Sequence, residues 1–225
     1  MDISVIVFVR NCKPKVQSAY DLLSRVLHNF NLTHEILFFD DASRDGTPAE
    51  LQEICRRHAN VKIFSAQKRS GFGAGLRFLL GKALGNVVLY ADIDLPIALS
   101  ILPSCFDKMR SADILVVSRF SAGQGVRTPR TTFLFKIYRF ACRSFFKIPV
   151  RDVQPKLVLF YRDAVAALEL RSSNQNIFPE VFFKGLKKRL TIEEIPAGTH
   201  LSPDATSDIQ RGSLFLLMDL WRVKG

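Results

Sequence analysis

The chain has 225 residues, 48% of them hydrophobic, which fits one globular α/β domain over 1–225. No run approaches about 18 uninterrupted apolar residues, which excludes a membrane-spanning helix, and four scattered cysteines exclude a disulfide frame or a zinc cluster. A formal charge of +11 calls for an anionic partner: nucleic acid, an acidic membrane surface or a phosphorylated substrate.

Ile3 to Val9 reads as a first strand. Val16 to Phe30 follows as a helix, with Ala19, Leu22, Leu23, Val26, Leu27 and Phe30 at helical spacing. Strands are expected over Glu35 to Phe39, Val61 to Ser65, Asn86 to Ala91 and Asp113 to Val117. Helices over Pro48 to His58, Gly73 to Leu84 and Leu99 to Met109 separate them. This alternation predicts a doubly wound, mostly parallel sheet in residues 1–120. After Ser121 a loop rich in Gly and Pro leads to a Phe-rich basic helix from Thr131 to Ile148. A strand over Leu157 to Phe160, helices near Arg162 to Leu170 and Pro179 to Lys188, a strand over Thr191 to Ile195 and a helix over Ile209 to Val223 complete the second half, 121–225.

Acidic clusters follow two of the apolar runs: Asp40-Asp41-Ala42-Ser43-Arg44-Asp45-Gly46-Thr47 and Asp92-Ile93-Asp94. In open α/β sheets ligands bind outside the carboxyl ends of the strands, so acids placed there point to a ligand site. In the first cluster Ser43, Gly46 and Thr47 are the natural residues of a tight turn that caps a helix. The paired acids Asp40 and Asp41, with Asp45, suit hydrogen bonds to a nucleotide. Asp92 and Asp94 lie on the same side of an extended segment and present the oxygen ligands that Mg²⁺ or Mn²⁺ prefers. Gly71-Phe72-Gly73-Ala74-Gly75 is not a dinucleotide fingerprint, because the third glycine position is Leu76. Its glycines suit either a close approach to a ligand or helix packing. Lys136, Arg139, Arg143 and Lys147 form a stripe beside Phe133, Ile137, Phe140, Phe145 and Phe146, the pattern of a helix lying in an anionic bilayer interface or of a core helix with snorkelling basic residues. Phe in apolar runs does not suit base stacking, so nucleic acid is not expected as a partner. His28, His34, His58 and His200 share no metal-ligand spacing.

Together these segments resemble glycosyltransferase family 2 of the GT-A fold, and within it the polyprenyl or dolichyl phosphate mannose and glucose synthases. The resemblance rests on Asp40 to Thr47, Ser70 to Ala74, Asp92 to Pro96, Ser118-Arg119-Phe120, Asp152-Val153-Gln154 with Phe160-Tyr161-Arg162, and Glu180 with Ile192 to Pro196. It departs from the family pattern at Cys12, Pro96, Lys156 and the loop at His200. The resemblance implies inverting transfer of a hexose from GDP-mannose or UDP-glucose to a polyprenyl phosphate. It implies catalytic Asp92, Asp94 and Arg119, with Asp92 and Asp94 also holding Mg²⁺ or Mn²⁺. It places the nucleotide sugar on Asn11, Asp40, Asp41, Asp45, Gly71, Gly73, Asp92, Asp152 and Gln154, and the acceptor phosphate on Arg119 and Arg130. The expected setting is cytoplasmic and peripheral to an anionic membrane, with a separate membrane-spanning protein as a further partner. Two alternatives stay open: a transferase of the same fold with a soluble or glycan acceptor, and a catalytically silent relative that binds a partner or a membrane.

Overall fold

The computed structural model describes residues 1–30, 32–94, 99–120 and 133–197. Arg130, Pro96, the loop at His200 and the helix expected over 209–223 lie outside them. Seven strands form one sheet: β1 (Ile3–Val9), β2 (His34–Asp40), β3 (Val61–Ser65), β4 (Val87–Ala91), β5 (Ile114–Ser118), β6 (Leu157–Tyr161) and β7 (Ile192–Pro196). Their order is β3-β2-β1-β4-β6-β5-β7. All neighbours are parallel except at β6, which runs antiparallel to both β4 and β5.

Helices cover both faces, so most of the central strands are apolar without interruption. On one face Val5, Val7 and Val9 of β1 meet α1 (Lys13–Asn29), α2 (Thr47–Arg57) and α4 (Leu102–Met109). On the other, Ile6 meets a core built from α3 (Phe72–Leu80), α5 (Phe133–Phe145), α6 (Arg162–Ala166) and α7 (Ile177–Lys187). Helix α1 begins three residues earlier than its apolar pattern suggests. Pro14 stands in its first turn, where a missing N–H costs nothing. Helix α6 ends at Ala166 instead of continuing to Leu170, whose carbonyl instead accepts a bond from Arg77 Nη1 at 3.0 Å.

The direction of β6 matters most for function. Because it is antiparallel, its amino end lies at the edge where β1, β2, β4 and β5 have their carboxyl ends. Ala91 pairs with Leu157, which places Lys156 directly across from Asp92. The backbone N–H of Asp92 donates to the Lys156 carbonyl at 2.9 Å.

Candidate active site

The loops after β1 and β2 are sewn to each other. Asn11 adopts φ 50, in the left-handed region that asparagine tolerates. Its Oδ1 accepts from Arg44 N at 2.8 Å and its N–H donates to Ser43 Oγ at 2.9 Å. Asp45 accepts from Thr47 N at 2.9 Å and Lys13 N at 3.2 Å. Its pKa is lowered, first by the Thr47 bonds. Asp40 is buried and accepts from Ser43, through both its hydroxyl and its N–H. Asp41 is buried too, and takes Ser70 N at 2.6 Å, Ser70 Oγ at 2.9 Å and Gly71 N at 3.2 Å. Each acid of the pair therefore has its own donors within the chain, which offsets their mutual repulsion.

Gly71 and Gly73 are explained by close approach of the chain to itself. Gly71 has φ +94, and a Cβ there would stand 2.5 Å from the Ser173 carbonyl oxygen. A Cβ on Gly73 would meet the Ser172 carbonyl oxygen at 2.5 Å. Gly73 N donates to the Ser173 carbonyl at 2.9 Å, so segment 172–174 covers the start of α3.

A cleft opens beside this loop system, where β4, β5 and β6 meet. Tyr90, Asp92, Arg119, Gln154 and Lys156 form its polar lining, and Phe72, Pro155 and Phe178 its apolar wall. Asp92 Oδ2 accepts from Lys156 Nζ at 2.8 Å and from the Tyr90 hydroxyl at 3.3 Å, while Oδ1 takes Asp94 N at 3.1 Å. Burial, then the Asp92 charge, pushes the Tyr90 hydroxyl well above its usual pKa, so it remains a donor. Asp94 sits at the rim, paired with Lys15 of α1.

Arg119 directly follows β5 and its side chain is fully buried. Nε and Nη2 grip the two oxygens of Asp152 at 2.8 and 2.9 Å, and Nη2 also donates to the Gln154 carbonyl at 2.6 Å. Burial alone would lower the pKa of the guanidinium, but the charge and hydrogen bonds of Asp152, together with the charge of Asp92, outweigh it and raise it. Asp152 is held in turn by Glu194, whose Oε1 accepts from the N–H groups of Arg151 and Asp152 at 2.8 and 2.9 Å. Nη1 of Arg119 is buried and has no hydrogen-bond partner among the described residues. A buried cationic donor left open is costly unless a ligand completes it.

Of the residues singled out in the sequence, the structure brings Asp92, Arg119 and Gln154 into one cleft, with Asp94 at its edge. Asp152 lies beneath Arg119 and positions it. Asn11, Asp40, Asp41, Asp45, Gly71 and Gly73 shape the neighbouring loops. Lys15, Tyr90, Phe72 and Phe178 were not foreseen, since nothing in their local pattern separates them from core or surface residues. Lys156 was visible only as a departure from a family pattern.

Asp92 and Asp94 offer the oxygen donors that a hard divalent cation takes, which together with substrate phosphates makes an adequate set. Each carboxylate carries a lysine ammonium, which holds the place of positive charge. The residues fit such a cation, at the cost of moving those lysines.

An uncharacterized glycosyltransferase of Synechocystis sp. is 22% identical over 157 residues, covering 70% of this chain and 47% of that protein. A dolichyl-phosphate beta-glucosyltransferase of Trichomonas vaginalis is 22% identical over 215 residues, covering 86% and 66%. The chain thus spans between about half and two thirds of these relatives. Among solved structures, glucosyl-3-phosphoglycerate synthase of Mycobacterium tuberculosis, in complex with Mn²⁺, UDP-glucose and phosphoglyceric acid, superposes with a TM-score of 0.71. It is 15% identical, with 99% of this chain and 79% of that one covered. That likeness shows the fold, a GT-A sheet with flanking helices. The model of glycosyl transferase family 2 matches residues 4–168, from β1 through α6, and the chain belongs to that family.

Proposed function

We propose that the protein transfers a hexose from a nucleotide sugar to a polyprenyl phosphate, inverting the anomeric centre, at the cytoplasmic face of a membrane. The observation that carries this reading is the cleft itself: Asp92 beside a buried arginine whose Nη1 has no partner among the described residues. The family supports glycosyl transfer, and the Trichomonas relative's name supports the lipid phosphate acceptor.

A phosphate oxygen of the acceptor is already anionic at neutral pH, so no general base is needed. It attacks the anomeric carbon as the bond to the nucleoside diphosphate breaks, and the attack from the opposite face inverts the centre. Asp92 and Asp94 would hold Mg²⁺ or Mn²⁺, which when bound supplies positive charge to the diphosphate leaving group. Arg119, locked by Asp152, holds one phosphate in place by a charge-assisted bond, and the work is positioning and charge neutralisation. Phe72 and Phe178 form the apolar wall of the cleft.

Helix α5 supports the membrane setting. Phe135, Tyr138 and Cys142 face the core, while Phe133, Phe140 and Phe145 are 76%, 65% and 57% exposed. Phe146 belongs to the core, at 2%. Lys136, Arg139, Arg143 and Lys147 line a groove along the outer side, with Phe140. Exposed rings beside a basic stripe suit an anionic bilayer interface. Among the described residues no helix is long and apolar enough to cross a membrane.

The test offers labelled GDP-mannose and UDP-glucose separately, with polyprenyl phosphate, a soluble saccharide acceptor, divalent cation and anionic membranes. Label extracted with lipid, and lost in Asp94→Ala, is the expected result. Label on a soluble acceptor instead would replace the lipid by that acceptor. No transfer to either, with protein still on liposomes, would move the reading to a silent membrane-binding relative.

A further inference from the structure

The two lysines at the acidic pair differ in standing. Lys15 and Asp94 are 54% and 33% exposed, so solvent screens them and their bond is easily exchanged. Lys156 and Asp92 are 19% and 14% exposed. Their attraction acts through less water and is stronger. The pair is also pinned by the backbone bond from Asp92 N to the Lys156 carbonyl, which anchors the base of the lysine at the carboxylate it neutralises.

We propose that Lys156 is a built-in counter-ion of Asp92, released only when a nucleoside diphosphate and its divalent cation arrive together. This rests on the reading of the cleft as the diphosphate site. A bare cation approaching Asp92 must displace an ammonium that has little water to move into. A diphosphate offers that ammonium new oxygens in the same cleft, which Arg119 also lines with an Nη1 that has no partner among the described residues. Cation and nucleotide therefore each lower the other's cost of entry, and by linkage the coupling is reciprocal. Cation alone binds weakly, Asp92 stays neutralised between turnovers, and the lysine ends on the leaving group.

The test is titration of Mn²⁺ into the full chain, followed by the electron paramagnetic resonance signal of free Mn²⁺, without nucleotide and with UDP or GDP. Wild type is expected to bind Mn²⁺ about tenfold more tightly with a nucleotide that fits than without. Lys156→Gln is expected to bind Mn²⁺ alone about tenfold more tightly than wild type, and to lose most of the nucleotide's effect. Lys156→Arg keeps the charge and is expected to follow wild type, while circular dichroism confirms that both variants fold. If Lys156→Gln gains nothing, or if Lys156→Arg gains as much, the counter-ion proposal is overturned. Asp92→Asn separates the two levels. Should it lose Mn²⁺ while Lys156→Gln shows no gain, only the role of Lys156 falls. Should it keep Mn²⁺ at wild-type affinity, the reading of the cleft falls and this proposal with it.

Discussion

Arg119 and Asp152 form a pair with both side chains out of solvent, 33 residues apart in sequence. Cutting Asp152 to alanine leaves a buried, unpaired guanidinium, and a loss of about 3–5 kcal/mol in urea unfolding is expected. Arg119→Lys keeps the charge but cannot grip two carboxylate oxygens at once and also reach Gln154, so it should not behave as a conservative change. Gly71 allows a second residue-scale expectation. Its positive φ and the nearby Ser173 oxygen both resist a side chain. Gly71→Ala should cost about 1–3 kcal/mol and weaken the bonds that Ser70 and Gly71 donate to Asp41. Asp94→Asn, by contrast, alters a rim residue, so melting temperature should hold while transfer falls by about 10²–10³-fold. A strong loss of stability there would argue that Asp94 is structural.

At the scale of the element, α5 carries two different faces. The inner one packs Phe135, Tyr138, Cys142 and, just past its end, Phe146 into the core, and the outer one leaves three phenylalanines in contact with solvent. Replacing Phe133, Phe140 and Phe145 by serine should leave unfolding unchanged, because these rings are more than half exposed. Sedimentation with anionic liposomes should drop severalfold, and raising salt should weaken what remains as the Debye length shrinks from about 30 Å at 0.01 M to about 10 Å at 0.1 M. Unchanged sedimentation would remove α5 from the membrane contact. The sequence showed the amphipathic character of this helix, yet spacing could not tell which rings faced inward. Strand β6 makes the same point. Its four apolar residues from Leu157 to Phe160 read plainly as a buried strand, but a run with that pattern carries no direction.

The molecule as a whole is held by buried carboxylates that serve structure. Burial would raise the pKa of Glu35, but bonds from Ser4, Lys62 and Leu84 N win and hold it below the usual carboxylate range. Glu180 behaves likewise: burial raises it, while Lys184 and the N–H groups of Ser172 and Arg171 lower it further. Since both folded-state pKa values lie below the unfolded value near about 4.3, their stabilisation is complete above that pH. It is lost as pH falls through the folded-state values. The urea midpoint should therefore be steady above about pH 5 and fall below about pH 4. In a Glu35→Gln, Glu180→Gln variant that fall should be shallower; an unchanged slope would assign acid lability to other carboxylates.

What the sequence determined by itself was the set of buried strands and the acids at their carboxyl ends, because apolar periodicity and the residues that interrupt it are local. It pointed to Asp92, Asp94, Arg119 and Gln154 through that pattern and a family resemblance. Tertiary structure alone decided what each group touches. Asp41 finds Ser70 and Gly71 about thirty residues on, and the glycines answer the backbone of 172–174 rather than open space. The antiparallel entry of β6 sets Lys156 against Asp92. Local pattern records which face of an element is buried, whereas partners depend on the order and direction in which the strands join the sheet.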